Sequence, residues 1–231
     1  MKHMASKKYK CPYCGKEFTK ERTLQVHMCE PKRRYLQKDE KWVVNAFMVF
    51  QRFYQIHQKN SKTKTYDDFV DSPYYNAFVK FGRFIMHINP LYPDKYIDFV
   101  LKSKVKLDHW ARDDLYETYL IETIKSEPVE SALQRSITTM MDWATEQNAQ
   151  WSDYFRLVNT NRAVQHIQQG KISPWLLLGC NAGKRMLKSL SDEQLQMIER
   201  FINPSFWPSK LKSYPADHML VQDTAKEAKI V

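Results

Sequence analysis

Apolar residues return at helical spacing along most of the chain. Between Asp39 and Lys59 they fall on Trp42, Val43, Ala46, Phe47, Phe50, Phe53, Tyr54 and Ile56, the pattern of a helix with one buried face. The same reading predicts helices over 74–88, 95–102, 113–125, 129–148, 151–169, 173–178 and 191–202. Polar or proline-bearing breaks separate them, at 60–65, at Asn89-Pro90-Leu91-Tyr92-Pro93 and at Glu127-Pro128. Asp71-Ser72-Pro73, Ser173-Pro174 and Ser191-Asp192-Glu193 read as helix starts, with a capping side chain and, in the first two, a proline in the first turn. From Asp217 the chain turns polar and is expected to fray. No Asn-Gly or Asp-Gly turn joins two alternating runs in this stretch. The expectation is a mostly α chain. An all-α body spans 39–215, as one bundle or as two lobes with a seam near 126–150, and a polar tail follows over 216–231.

Composition sharpens this picture. Five glycines in 231 residues argue against glycine-rich phosphate loops and against turn-dense β folds. At 13% aromatic the chain is too rich in ring side chains to stay disordered. No apolar run approaches transmembrane length and the N-terminal stretch is too polar for a signal peptide. The expected location is therefore cytoplasmic, in the host cell cytoplasm if the protein is viral, with no membrane partner. The formal charge is +10, and residues 1–40 hold eleven Lys/Arg against five Asp/Glu. A basic head on a nearly neutral body points to a polyanion, nucleic acid first.

The head also carries the densest chemistry. Residues 9–29 read Tyr9-x-Cys11-x2-Cys14-x3-Phe18-x5-Leu24-x2-His27-x-Cys29. Two cysteines two residues apart form a knuckle that grips a tetrahedral Zn²⁺ from one side. Tyr9, Phe18 and Leu24 make a miniature core too small to stand without the metal. Up to His27 this resembles the C2H2 zinc-finger family in ligand spacing and core positions, and it implies a ββα unit over residues 1–38. The family places a second histidine three to five residues after the first. Here Pro31 intervenes and no later histidine precedes His57, so Cys29 is the substitute and the ligand set becomes Cys11, Cys14, His27, Cys29. The tight closure and Pro31 are expected to end the helix.

The resemblance implies a helix starting near Lys20, with base-reading positions at Lys20, Thr23 and Val26. One finger covers ~3 base pairs, too few for an address, so it reads as a docking device. Lys7, Lys8, Lys10, Lys16, Arg22, Lys32, Arg33 and Arg34 are its phosphate candidates. DNA is favoured over RNA, and a protein-binding finger is the competing reading.

Catalytic constellations are thin. Gly179-Cys180-Asn181-Ala182-Gly183-Lys184-Arg185 has three residues between its glycines, lacks Ser or Thr after the lysine, and follows no strand. It reads as a helix–helix connection. Asp108-His109, Asp113-Asp114 and the Asp67-Asp68-Asp71 cluster read as caps and surface charge, His166 and His218 as isolated, and Cys180 as a buried thiol.

The body resembles the small, basic, all-helical helicase-loading proteins of T4-type bacteriophages. The segments that carry this are Asp71 to Tyr75 leading to Phe78 and Phe81, Tyr96 to Leu101 followed by Trp110, His166 to Ser173, and Trp207 to Tyr214, in order over residues 42–215. The resemblance implies binding to forked DNA, a helicase and a single-strand-binding protein as partners, and a viral source. The expected function is a non-enzymatic DNA-binding accessory protein of replication or recombination. The alternatives are a nuclease or base-modifying enzyme, or a transcriptional regulator, targeted by the finger.

Overall fold

The computed structural model describes residues 8–58 and 62–230. The chain divides into two compact units after Leu115. The stretch 126–150 lies within the second unit.

The first unit opens with a two-stranded antiparallel hairpin, β1 (Tyr9–Lys10) and β2 (Glu17–Phe18), with Tyr9 opposite Phe18 and Lys10 opposite Glu17. Two short helices follow, α1 (Glu21–Val26) and α2 (Glu30–Leu36). Then come α3 (Lys41–His57), α4 (Tyr66–Val70), α5 (Tyr75–Ile88) and α6 (Pro93–Lys102). α4 follows directly on the polar break at 60–65, where the sequence shows an acidic cluster at Asp67, Asp68 and Asp71. It is held by a capping box in which the Thr65 side chain accepts from the Asp68 N–H and the Asp68 carboxylate accepts from the Thr65 N–H.

The core of this unit is aromatic. Phe50, Phe69, Phe78, Phe81, Tyr96 and Trp110 are all buried, and Phe78 stands edge-on to both Phe50 and Trp110 at 5.3 and 5.9 Å between centroids. α3 and α5 cross closely at Gly82. A Cβ there would lie 2.3 Å from the Trp42 carbonyl oxygen, so only glycine admits this approach.

α7 (Asp113–Ser126) spans the division. The second unit continues with α8 (Val129–Gln147), α9 (Tyr154–Leu157), α10 (Thr160–Gln168), α11 (Pro174–Gly179), α12 (Asn181–Lys188), α13 (Asp192–Ile202), α14 (Trp207–Ser213) and α15 (Pro215–Glu227). The run over 151–169 is not one helix. Val158 and Asn159 break it, and the Asn159 side chain restarts the chain as the cap of α10. The tail does not fray from Asp217 either, since α15 buries Val221 and Ala225.

The second unit packs around Trp175 and Trp207, whose rings are 5.8 Å apart. A strongly buried ion pair joins both Glu127 carboxylate oxygens to Arg135 at 2.5 Å, while Arg135 Nε donates to the Gly170 carbonyl at 2.6 Å. With all three guanidinium nitrogens donating, this pair fixes α8 against the turn after α10. No described helix is long and apolar enough to cross a membrane.

Candidate metal centre

The hairpin places the first two ligands. Cys11 follows β1, and its N–H donates to the Lys16 carbonyl at 2.9 Å while its own carbonyl accepts from Gly15 N–H at 2.9 Å. Gly15 turns the chain with φ of 72°, a left-handed geometry that suits glycine. Cys11 is buried and Cys14 exposed on the two sides of this knuckle.

The other two ligands come from a helix end and a helix start. α1 stops at Val26, His27 is its C-cap with extended backbone, and Cys29 is the N-cap of α2. Pro31 therefore does not stop a helix. It occupies the first turn of the next one, where its missing N–H costs nothing. The His-x-Cys closure is short because only three residues, 27–29, connect the two helices, with His27 and Cys29 extended.

The four ligand atoms lie within 4.8 Å of one another. Cys11 Sγ and Cys29 Sγ are 3.9 Å apart, and Cys14 Sγ and His27 Nε2 are 3.3 Å apart. A tetrahedral ion with Zn–S bonds of about 2.3 Å sets its sulfurs about 3.8 Å from each other, so the donor set fits Zn²⁺. The His27 ring rests on Phe18 at 4.8 Å, which orients it, and Leu24 is half-buried beneath. Among the described residues this is the one group of three or more ligand atoms at coordinating distance.

The cationic candidates separate into two sets. Lys10, Lys16, Lys20, Arg22 and Thr23 are exposed on the hairpin and α1, and Val26 is 74% exposed beside them. Lys8 pairs with Glu17 at 2.7 Å across the hairpin, which raises the lysine and lowers the carboxylate from their ordinary values. Arg33 is exposed beside Glu30, and Lys32 donates to the His27 carbonyl at 3.1 Å, steadying the ligand turn. Arg34 departs from its neighbours. Its side chain is only 16% exposed; it donates to Glu30 and to the Val70 carbonyl, and its guanidinium lies 4.3 Å over the Tyr75 ring. It fastens α2 to the helices beneath and is not presented to a phosphate. Lys7 lies outside the described residues.

The residues that seat the finger carry no sequence signal. Tyr13, in the knuckle, meets Tyr35 on α2; Tyr35 meets Tyr66, and Tyr66 meets Phe47, with centroids 5.5, 5.7 and 5.4 Å apart. Tyr35 donates to Asp67, and Tyr66 donates to the Arg34 carbonyl at 2.8 Å. Residues 13, 35 and 66 share no period, so only the fold brings them together.

The other clusters have structural partners. Asp114 takes Arg112, Asp68 caps α4, Asp67 takes Tyr35, and Asp108 and His109 lie in a single exposed turn. Gly183 lies inside α12 and presses on α11, its absent Cβ 2.3 Å from the Leu177 carbonyl oxygen, so the glycine-bearing loop is a packing contact. Cys180 caps α12 by accepting from Gly183 N–H, and burial pushes its thiol up. His166 is not isolated, since it shares a 2.8 Å hydrogen bond with the Tyr154 hydroxyl.

Residues 9–30 match the family model for the zinc finger of C2H2 type. No curated protein and no solved structure matches the chain. The segment is thus a zinc-binding finger of C2H2 type with a CCHC ligand set, a module that supports nucleic-acid binding. The likeness of the body to phage helicase loaders receives no support from these comparisons.

Proposed function

We propose that the protein is a DNA-binding accessory protein that docks its single finger on the phosphate backbone. The observation that carries this reading is the metal-centred fold of residues 8–36, with Lys10, Lys16, Lys20, Arg22 and Arg33 exposed around it. Phosphate contacts hold register without reading sequence. Lys20 at the start of α1 is the side chain suited to a guanine edge, and Thr23 adds little discrimination. The chain acts without catalysis of its own. Its placement at replication or recombination intermediates, with a helicase and a single-strand-binding protein as partners and a viral source, rests on the sequence likeness of the body alone.

Gel shifts of single-stranded, duplex and forked DNA, with Mg²⁺ included, test this. Fork preference without cleavage is the expected result. Cleavage would make the protein an enzyme, and a duplex sequence preference a regulator.

A further inference from the structure

The second unit contains a cavity of 730 Å³, large enough for one small organic ligand. Its walls come from the end of α7, from Trp175 on α11, and from α14 with the residues flanking it. Two ammonium groups reach into it. Lys210 Nζ lies 5.2 Å from the Trp175 ring and 5.6 Å from that of Tyr214, and Lys125 Nζ lies 5.0 Å from Phe206. Ring faces hold these cations and Lys210 also donates to the Lys125 carbonyl, but among the described residues neither has a carboxylate at ion-pair distance. Glu127 on the same wall is taken by Arg135. Asp217 also lines the cavity and offsets one of the two charges. Burial holds Lys210 below its ordinary value, with Asp217 and Glu127 opposing.

Neutral donors accompany the charges. Ser205, Ser209 and Ser213 recur at every fourth position along the wall. Trp175 contributes ring surface to the wall, and its buried indole N–H is not one of these donors. Tyr214 is 53% exposed and offers a ring face. Cations and hydroxyls suit a phosphate; an open ring beside them suits a base.

We propose that this cavity binds a nucleotide, with the phosphate between Lys125 and Lys210 and the base on the ring of Tyr214 or Phe206. The inference stands apart from the finger. A free mononucleotide and the terminal nucleotide of a single strand present the same chemistry, and two arms of one experiment distinguish them.

The zinc-loaded full-length protein is titrated calorimetrically with thymidine 5′-monophosphate, thymidine and inorganic phosphate. A short 5′-phosphorylated single strand with iododeoxyuridine at its first position is photocrosslinked, and the adducts are mapped by mass spectrometry. The monophosphate should bind about tenfold or more tighter than either fragment. Lys125→Gln and Tyr214→Ala should each weaken it by about tenfold while zinc content and helical circular dichroism stay unchanged. Lys125 is half-buried and Tyr214 exposed, so these variants do not depend on whether a Lys210 variant folds. Adducts on Phe206 or Tyr214 identify a strand end as the source, and monophosphate binding without them identifies free nucleotide. Monophosphate binding that is absent or unaltered in both variants, with adducts confined to residues 8–36, overturns the proposal and leaves the finger's role intact.

Discussion

The ring of Tyr13, inside the Cys11–Cys14 knuckle, lies 5.5 Å from the ring of Tyr35 on α2. Through Tyr66 and Phe47 the contact continues into the core, so the metal site is seated on the helices beneath it. The bond from Tyr35 to Asp67 pushes the phenol up to about 12, and burial adds to this. Tyr35→Ala is expected to cost about 1–2 kcal/mol and to speed amide exchange over Glu30–Leu36, with zinc stoichiometry unchanged. Tyr35→Phe, which keeps the ring, should lie between.

Zinc removal should act locally. Chelation is expected to disorder the hairpin and α1, which have no sizeable core of their own, while α3, α5 and the second unit keep their helical circular dichroism. Cys29→Ser should lower bound zinc measured by elemental analysis, and Cys180→Ser should leave it unchanged, because that thiol caps α12.

The division among the basic residues predicts two different phenotypes. Replacing Lys20, Arg22 and Arg33 together by Ala should reduce the log–log salt slope of duplex binding by about two to three units. Arg34→Ala should leave the slope unchanged and lower thermal stability by about 1–3 kcal/mol, since it frees the Val70 carbonyl and the Tyr75 face.

His166 sets a pH window. Burial holds it at about 4 against an ordinary 6.5, with Lys171 and Arg162 acting in the same direction and Glu146 opposing them. The unfolded chain therefore takes up a proton that the native state refuses. Stability should fall as pH drops from 6.5 toward 4, by up to about 1.4 kcal/mol per pH unit. Urea melts at pH 7 and pH 5 should show a smaller difference for His166→Gln than for the native chain.

Gly183→Ala forces a Cβ against the Leu177 carbonyl, and backbone cannot step aside as a side chain can. A loss of about 2 kcal/mol or more in a urea melt is expected. Equal stability of the variant would mean that α11 and α12 pack less tightly than described.

The ligand set and the long helices were legible because each rests on a local rule: Cys-x2-Cys spacing, or apolar residues recurring at 3.6. What was not legible depends on tertiary contact. Pro31 is ambiguous, since the same residue ends one helix or begins another, and only the extended backbone of His27 and Cys29 decides. α15 looks like a solvated tail because its buried surface is only Val221 and Ala225, two positions too sparse to register as a period. Arg34 reads like Lys32 and Arg33 until the Tyr75 ring appears beneath it.

Cys29 serves at once as the last metal ligand and as the residue that launches α2. Tandem finger arrays need a pliant joiner after the final ligand, so that the next copy can follow the groove. Here the chain passes from the last ligand straight into a packed helix. The finger is therefore not a transplantable bead. It is built as a fixture of the first unit, and its orientation is inherited from α2 and the helices on which α2 rests.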